Sequence, residues 1–424
     1  MNNRNKQIKD IENKKGKSNS YLLVFMIVII LMRFVNEISS NISTYTQSAI
    51  INEFYVSKGI SYDDGLLRYT PLSMLFMALC ALTFLYKPLA DKIGRRRTLM
   101  INVCCFGIGM FLCYSAKNIY VYLLGVAIFT FFTQNDVQMV YILETAPKDK
   151  SARMFSTVKS IGILGLLFVP ILREKLLNND LSLWRNLYLF PVILCVVVFI
   201  CFVLFMKESD AFVDNREENE DSQSLNTKQA IKYILSNEDI LMPVIANTFY
   251  GTCSLSAYSY VDSIMSINGL SSSDITKAMY VYPFVYAFEC FIAGRIADKF
   301  GRRIVVSYSG VFVATGFIGF ILGCINGINP YLIGLIEGLY LGSFWVFGDY
   351  ISVLLIDKVP VNIRTSIISA ASILTMIGST LGIVLQMILL KLFGLNIASI
   401  AIIVPFITIS TLIIMFKVKE SRGV

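Results

Sequence analysis

An ionisable side chain within an apolar stretch of the sequence is costly and is by default a candidate for function. Candidates of this kind include Arg33, Glu37, Asp136, Glu289 and Asp349. Arg33 and Glu37 are four residues apart, so on a helix they share one face and can form an ion pair. A carboxylate loses its proton easily beside a cation and keeps it when buried without one. The pair can therefore carry a proton, or it can simply neutralise itself so that the helix inserts, and the sequence leaves both interpretations open.

Composition indicates the solvent in which the chain folds. Apolar residues occupy 55% of the 424 positions and charged residues 16%, against about 25% charged residues in soluble domains. The mean hydropathy is +0.65. A soluble protein of this length could not bury so many apolar side chains, so we predict an all-α membrane protein. A spanning helix needs about 20 apolar residues, and the sequence has twelve such segments. The predicted spans are 20–50, 67–87, 98–117, 120–143, 155–173, 186–206, 240–267, 277–296, 304–325, 330–356, 366–391 and 395–416.

Basic residues are distributed unequally between the two sides of this predicted membrane domain. Of the 37 lysines and arginines, 28 belong to one side, which includes both termini; eight belong to the other, and Arg33 lies inside a span. Because basic residues concentrate on the cytoplasmic side, we predict a multi-pass protein of the cell membrane with both termini in the cytoplasm. The net charge of +8 then reflects topology, and no nucleic-acid partner is expected.

Residues that could hold a metal or act as a catalyst are scarce. The nine cysteines all fall within predicted spans without CxxC or CxxH spacing, and the chain has no histidine. Buried cysteines of this kind act as small apolar side chains. The sequence also lacks a Walker A loop and a nucleophile elbow. We therefore expect no metal, no cofactor and no enzymatic activity.

Polar segments of the first half of the chain recur in the second half. DKIGRR at 91–96 recurs as DKFGRR at 298–303, ETAP at 144–147 as DKVP at 357–360, and KES at 207–209 as KES at 419–421. At nearly the same offset, Tyr45 aligns with Tyr258, and Asp136 with Asp349. Parallel repeats of six helices are typical of transporters that rock two bundles about a central site. The predicted divisions are a basic tail at 1–19, a bundle at 20–207, a linker at 208–239, a second bundle at 240–416 and a tail at 417–424.

The repeated loop resembles the signature of the major facilitator superfamily, which follows helices 2 and 8. GRIADKFGRR at 294–303 carries it in full, whereas the first copy departs at Lys87, where the family favours glycine. KESRG at 419–423 and the pair Trp184-Arg185 are similar to the branch of sugar porters and organic-ion transporters. The resemblance implies twelve helices in two pseudo-symmetric six-helix bundles and a secondary transporter that works by alternating access. The antiporter motif of helix 5 is absent, since Leu166 follows Gly165.

The resemblance also marks substrate and proton positions, although not their usual residues. On helix 7, NTFYG at 247–251 stands where sugar porters carry QQxxG, which makes Asn247 and Tyr250 candidates. Glu37 resembles the helix 1 acid of proton-coupled sugar porters, and Arg33 is expected to replace the helix 4 arginine, whose position holds Leu124. Aromatic side chains can stack on a solute. The further aromatic candidates are Tyr258, Tyr282 and Trp345.

Charged residues that alternate in sign across the cytoplasmic loops predict a gate. Such groups can form charge-assisted hydrogen bonds that close one side of the molecule and break when it opens. Exposed pairs are individually weak, at about 0–1 kcal/mol, so a network of several suits a gate that must reopen. The alternative is that they only mark topology. The candidates are Asp91, Arg95, Glu144 and Arg153, and their repeats Asp298, Arg302, Asp357 and Arg364.

The buried acids predict the sign of the central site. Asp136, Glu289 and Asp349 lie at similar depths, so each can face a cavity or pack between helices. If all of them face inward with Glu37, only Arg33 opposes them, and at least one acid should stay protonated. Such a site favours a cation or a neutral hydroxylated solute.

Two classes of function remain at this stage. The first is a monomeric transporter that couples a small organic solute, sugar-like or an organic ion, to protons; uptake by symport is preferred to efflux of drugs or metabolites by antiport. The second is a non-transporting sensor on the same scaffold. The repeated gate and the buried acids favour transport, because a sensor would not need both. The sequence does not identify the solute.

Overall fold

Helices make up the molecule because a backbone inside a bilayer must satisfy its hydrogen bonds within its own segment. The computed structural model describes residues 2–78, 86, 93–133, 135–145, 151–177, 180–208, 227–359 and 363–420. The side chains of residues 2–19, and those of Asp136, Arg153, Asp298 and Arg364, lie outside this description. The described helices, taken in chain order, form twelve spans, which are numbered α1 to α12. They confirm the predicted all-α fold class.

The first six spans form the first half of the molecule. α4 is divided into two pieces, and α5 contains a 3₁₀ segment, Leu164–Leu167, between its two α-helical pieces. The spans are α1 (Asn2–Thr44), α2 (Tyr62–Ala78), α3 (Arg95–Ser115), α4 (Ile119–Phe131 and Asn135–Thr145), α5 (Ser151–Ile163 and Phe168–Leu176) and α6 (Asn186–Phe205). The helix α1 begins well before the predicted span, and its apolar part is Ser20–Thr44.

The second half repeats this order. Its first helix follows a short amphipathic helix, Thr227–Ser236, in the second part of the predicted linker. The spans are α7 (Glu238–Ser259), α8 (Ser272–Phe300), α9 (Arg302–Ile325), α10 (Pro330–Lys358) and the two arms of Arg364–Lys417, which are α11 and α12. Gly394 separates these arms with a φ of 77°, a left-handed conformation that glycine adopts without strain. We call the side on which α1 begins the inner side and the opposite one the outer side.

Length and apolarity alone identify part of this set. Seven described helices are long and apolar enough to cross a bilayer, and one of them, Ala370–Lys417, contains both α11 and α12. The first piece of α4, Ile119–Phe131, is apolar but too short to be counted. Two of the spans that this criterion does not find, α4 and α5, are each divided into described pieces that are too short to be counted.

Small residues allow close contacts between helices, as expected where lipid provides no hydrophobic force between them. A Cβ added at Gly125 of α4 would lie 2.7 Å from the carbonyl oxygen of Gly109 in α3. A Cβ at Gly338, the repeat partner of Gly125, would lie 2.6 Å from Val285 Cβ, where α10 packs on α8. Each half therefore has a position on its fourth helix where a side chain would collide with a neighbouring helix.

A carboxylate at the end of each half holds the start of that half's third helix. Glu208 Oε1 accepts the backbone N–H of Arg95 at 2.8 Å, and Glu420 Oε1 accepts that of Arg302 at 2.8 Å. Both acids belong to the repeated KES segment, and both face the positive end of a helix dipole. The preceding residues, Gly94 and Gly301, have φ values of 101° and 100°, and a Cβ on either would lie within 2.4 Å of a carboxylate atom.

An ion pair on the outer side joins the start of α6 to the short helix Gln47–Phe54, which follows α1. The Glu53 carboxylate accepts hydrogen bonds from Trp184 Nε1 at 2.6 Å and from both terminal nitrogens of Arg185, at 2.7 and 2.5 Å. Partial desolvation opposes ionisation of Glu53, but these donors outweigh it and lower the pKa of its carboxyl. The cluster fixes the outer loop between α1 and α2 to α6.

Candidate functional site

A cavity of about 450 Å³ lies between the two halves, within the range of about 300–1,000 Å³ that is usual for small-molecule sites. Its walls come from α1, α2, α4 and α5 of the first half and from α7, α8 and α10 of the second. Amide and hydroxyl groups are frequent in the lining, among them Asn36, Ser40, Asn41, Gln47, Thr130 and Thr133. The site therefore offers many hydrogen-bond donors and acceptors to a polar solute.

Two ion pairs lie in the cavity wall. Arg33 Nη2 is 2.6 Å from Glu37 Oε1, on one face of α1 as their spacing predicts. Lys159 of α5 pairs with Asp349 of α10, so this contact joins the two halves. Lys159 lies within the predicted span 155–173 and was not among the site residues predicted from the sequence. Only the rotation of α5 about its axis, which a single sequence does not specify, places this amine in the cavity.

Aromatic rings form another part of the wall. The ring centroids of Tyr258 and Trp345 are 5.4 Å apart, and those of Tyr282 and Tyr286 are 6.1 Å apart with nearly parallel planes. All four side chains line the cavity. Of these, the sequence analysis selects Tyr258, Tyr282 and Trp345 as site residues. Aromatic rings in a cavity wall can stack on an apolar face of a solute.

Three other candidates lie outside the lining of this cavity. Asn247 donates to Thr375 Oγ1 at 2.9 Å, which joins α7 to α11. Tyr250 stacks on Phe344 with a centroid distance of 4.6 Å, inside the second half. Glu289 is buried against Gly342 of α10, whose added Cβ would lie 3.2 Å from the Glu289 side chain. The side chain of the fourth candidate, Asp136, lies outside the described residues.

The described charges of the cavity balance. Glu37 and Asp349 are opposed by Arg33 and Lys159, and each acid has its own cation partner. The sequence predicted an excess of negative charge because Glu289 was placed in the cavity and Lys159 was left out. In the described part of the chain, the lining is therefore formally neutral.

Buried polar contacts between the halves close the outer side of the cavity. Asp262 lies in the short helix Val261–Ile267, which follows α7. Its Oδ1 is 3.3 Å from Arg173 Nη2 of α5, an ion pair without hydrogen-bond alignment, and its Oδ2 accepts the backbone N–H of Ser48 at 2.8 Å. The three residues are almost inaccessible to solvent. Charges buried so deeply must be paired to be tolerated, so these contacts hold the outer ends of the halves together.

Neutral hydrogen bonds surround this pair on the same side. Ser263 donates to Gln47 Oε1 at 2.6 Å, and the hydroxyls of Tyr62 and Ser263 are 3.1 Å apart. The hydroxyl of Tyr260 donates to Thr70 Oγ1 at 3.4 Å. Each contact joins a residue of the first half to one of the second. Together with the Arg173–Asp262 pair, they form the outer gate.

A second buried acid lies at the outer gate. The Tyr45 hydroxyl donates to Glu337 Oε1, which links the end of α1 to α10 of the other half. Both side chains are buried, with exposures of 1% and 0%. Arg173 also donates to the carbonyl oxygen of Tyr45, so Tyr45 connects the acid to the ion pair. The sequence analysis did not select Glu337, Arg173 or Asp262; an alignment of the two halves places Glu337 opposite the apolar Leu124, and no local motif surrounds it.

The predicted inner gate is described in part. Arg95 Nη2 is 3.1 Å from Glu144 Oε1, which joins α3 to α4. Arg302 pairs with Asp357 and joins α9 to α10 in the same way. Both pairs lie within a half, so the repeat in the sequence corresponds to a repeated contact. Asp91, and the side chains of Arg153, Asp298 and Arg364, lie outside the described residues.

No group of three or more His, Cys, Asp or Glu side chains with metal-binding geometry occurs among the described residues. The free cysteines lie within the spans, at positions from Cys104 to Cys324. Nothing in the described geometry therefore assigns a metal to the cavity.

Comparison with known proteins identifies the family. The family model for the Major Facilitator Superfamily matches residues 22–382, nearly the whole chain. No curated protein sequence matches. The fold is similar to that of the D-xylose-proton symporter, with a TM-score of 0.71 at 16% identity over 94% of this chain and 98% of that one.

Two further solved structures show the same likeness. The xylose transporter XylE from E. coli, in a partially occluded inward-open conformation, gives a TM-score of 0.72 at 16% identity over 95% of this chain and 99% of that one. The nucleoside transporter NupG gives 0.70 at 12% identity over 93% of this chain and 100% of that one. At these identities the structures establish the fold. The family match over residues 22–382 shows that the chain belongs to the major facilitator superfamily.

Proposed function

We propose that the protein takes up a small hydroxylated organic solute across the cell membrane together with protons. The observation that carries this proposal is the cavity between the halves, whose polar lining and balanced charges suit a neutral, hydrogen-bonding solute better than a highly charged one. The structural neighbours named as xylose and nucleoside transporters move solutes of this chemistry, which supports the choice. We further propose that the protein works as a monomer, with the inner side in the cytoplasm.

Transport by alternating access follows from the position of the contacts that join the halves. The outer gate holds the outer ends together, and the Lys159–Asp349 pair joins the halves within the cavity. Rocking of one bundle against the other would break the outer contacts and expose the same cavity to the outside. Because many of these contacts are single hydrogen bonds, each worth about 0.5–1.5 kcal/mol, they can be exchanged for a similar set on the inner side.

Coupling to protons requires an acid whose protonation changes during this motion. Glu37 is held beside Arg33 at 2.6 Å and lines the cavity. A solute that draws Arg33 away would leave the carboxylate without its cation and favour proton uptake. A purely structural role for this pair, which neutralises α1, remains the alternative at this position.

Uptake into proteoliposomes tests the proposal. We would measure entry of radiolabelled D-xylose, D-glucose, uridine and choline with and without an inward proton gradient, using protein-free liposomes and a protonophore as controls. Accumulation of at least one neutral solute that collapses with the protonophore is expected. Saturable uptake that is indifferent to the gradient would rule out proton coupling, and accumulation of choline alone would rule out a neutral solute.

Efflux by antiport is the second candidate. The same vesicles distinguish it, because an antiporter accumulates solute when the interior is acidic and loses it when the exterior is. The absence of uptake or exchange with a wide solute panel, combined with specific ligand binding, would instead indicate a sensor on this fold.

A further inference from the structure

We propose that Glu337 binds the coupled proton and that its protonation allows the outer gate to close. This inference rests on the proposed proton-coupled function and adds to it a specific carrier residue, located at the contact between the halves. Glu37 of α1, paired with Arg33, then has the structural role of neutralising α1. It would also link the proton directly to the motion, because the same side chain joins α10 to Tyr45 of the other half.

The hydrogen bonding of the Glu337 carboxyl group favours its protonated form. Glu337 is fully buried, and its Oε1 receives a single neutral donor, the Tyr45 hydroxyl. Its Oε2 is buried and has no hydrogen-bond partner among the described residues. A buried carboxylate needs a cation or several donors to stay ionised. With one neutral donor and one unpartnered oxygen, this group is suited to the protonated form.

The second argument is the local charge. Arg173 is the cation of the outer gate, and it is paired with Asp262, which also receives the Ser48 N–H. Two acids and one cation in a buried space leave one negative charge without compensation if both acids ionise. Asp262 has the cation and an N–H donor, so Glu337 is the acid that holds the proton.

The remaining neighbours do not supply a second cation. In the described part of the chain, the titratable groups that act on Glu337 are Tyr45, Asp262 of the outer helix, Tyr282 of α8, Cys324 of α9 and Tyr340 of α10 itself. The tyrosines and the cysteine are neutral near pH 7 (their ordinary pKa values are about 8.5–10). Asp262 carries a charge of the same sign as an ionised Glu337 and would oppose its ionisation.

Other acids of the membrane domain either have a cation partner or lie away from the contacts between the halves. Glu37 and Asp349 have cation partners in Arg33 and Lys159. Glu289 is also buried and has no cation partner among the described residues, but it packs against α10 inside the second half. Its protonation would therefore not control a contact between the halves, which makes it the matched control for Glu337.

Each transport cycle then carries one proton from the outer to the inner side. With the outer gate open, water reaches the Glu337 carboxylate, which takes one proton from the outer solution and becomes a neutral acid. The neutral acid can be buried under Tyr45 as the gate closes. On the inner side, the proton leaves to water in the cavity, which Tyr45, the hydrogen-bond partner of Glu337, lines. The gate then reopens, and water hydrates the restored carboxylate.

Infrared spectroscopy of the purified full-length protein in nanodiscs tests the protonation state without a solute. The carbonyl stretch of a protonated carboxyl group should be present at acidic pH and should diminish as the pH rises. Tyr45→Phe is expected to shift the part of this band that belongs to Glu337, and Glu337→Gln to remove that part. Glu289→Gln should leave the part that responds to Tyr45→Phe in place. A Glu337→Gln spectrum identical to that of the parent would overturn the proposal.

Accessibility of the outer gate tests the link to motion. In a background without native cysteines, Ser263→Cys reports opening through its rate of reaction with an impermeant maleimide. Because maleimide reacts with the thiolate, whose fraction itself rises with pH, each rate is divided by that of a freely accessible thiol at the same pH. This ratio should rise with pH by up to about tenfold per pH unit, the limit for one linked proton. Glu337→Gln should give a low ratio that no longer depends on pH, whereas Glu289→Gln should keep the parental slope. A parental slope in Glu337→Gln would refute the coupling to the gate.

Neither measurement uses a transported solute, so their outcomes are separate from those of the uptake assay. Gradient-dependent uptake that persists in Glu337→Gln would refute this residue as the carrier and leave the proposed function intact. Gradient-independent uptake by the parent protein would refute the proposed function, whatever the spectra show.

Discussion

The pair formed by Lys159 and Asp349 shows how one residue can change the chemistry of the site. Lys159 provides the second cation of the cavity and a contact between α5 and α10. Its presence makes the described lining neutral and leaves Asp349 with a partner in the other half. The contact is partly accessible, with exposures of 23% and 48% for the two side chains, so its strength should lie nearer to that of a surface pair than to that of a buried one.

We expect a double-mutant cycle to detect this pair. Lys159→Gln and Asp349→Asn should each lower the free energy of unfolding in detergent, and the double variant should lose less than the sum. The coupling should be about 0.5–1 kcal/mol. The exposed pair Lys277–Asp274, which lies within α8, is the control and should give a smaller coupling. Additive effects at Lys159 and Asp349 would mean that the pair does not stabilise the protein.

Glu53 provides a prediction about pH. Its donors, Trp184 and Arg185, lower its pKa below the ordinary value of about 4.3. The stabilisation is therefore complete above the ordinary pKa and is lost as the pH falls through the lowered value. Glu53→Gln should unfold more easily than the parent at neutral pH, and the difference should shrink under acidic conditions. Unfolding midpoints measured across this range would check it; a difference that stays constant with pH would contradict it.

At the scale of helices, close packing of α3 on α4 depends on Gly125. Its added Cβ would lie 2.7 Å from a backbone oxygen, and backbone cannot rotate away as a side chain can. We expect Gly125→Ala to destabilise the protein by about 1–3 kcal/mol. Gly319→Ala is the control, because its Cβ would meet only Ile336 at an ordinary 3.5 Å. Thermal unfolding of both variants should separate them; equal losses would show that helix contact is not the cause.

The positions of the helices and their repeat could be predicted from the sequence, because the length of an apolar span and the polar segments between spans are local properties. Arg95 and Arg302 belong to one repeated segment, and Glu144 and Asp357 to another. The repeat thus shows which residues are equivalent in the two halves, whereas their pairing is a finding of the structure. The interruptions within α4 and α5 were not predicted. The polar residues at 133–136 were taken as part of one span, and the interruption of α5 sits in continuous apolar sequence.

The direction in which each helix faces was much harder to predict. In a bilayer, lipid-facing and core-facing sides of a helix are both apolar, so hydrophobic periodicity gives little information on rotation. This explains why Glu289, a candidate for the cavity, lies between α8 and α10, while Lys159, which was not a candidate, lines the cavity. Glu337 was missed for the same reason: its importance depends on Tyr45, which is 292 residues away in the chain.

At the scale of the whole molecule, the outer gate should restrain motion between the halves. Gln47→Cys with Ser263→Cys, in a background without native cysteines, replaces a 2.6 Å hydrogen bond between the halves by a potential disulfide. Oxidation should abolish uptake, and a reductant should restore it, because the cavity can no longer open outward.

The matched control joins residues of one half on the same side. Asn268 Nδ2 is 3.2 Å from Asn396 Oδ1, and both belong to the second half. The Asn268→Cys and Asn396→Cys disulfide should form without stopping uptake. Mass spectrometry would establish that each bridge has formed. Continued uptake with the Gln47 and Ser263 bridge in place would show that the outer side need not open.

The carboxylates Glu208 and Glu420 have a consequence for how the gene can be divided. Each one returns from the end of its half to the start of that half's third helix, so each half is fastened by its own last residues. Two open reading frames, one ending after Glu208 and one beginning before Thr227, should then yield polypeptides that insert separately and associate in the membrane. Co-purification of the two products, and its loss when the outer-gate residue Asp262 is replaced by Ala, would demonstrate this modular assembly.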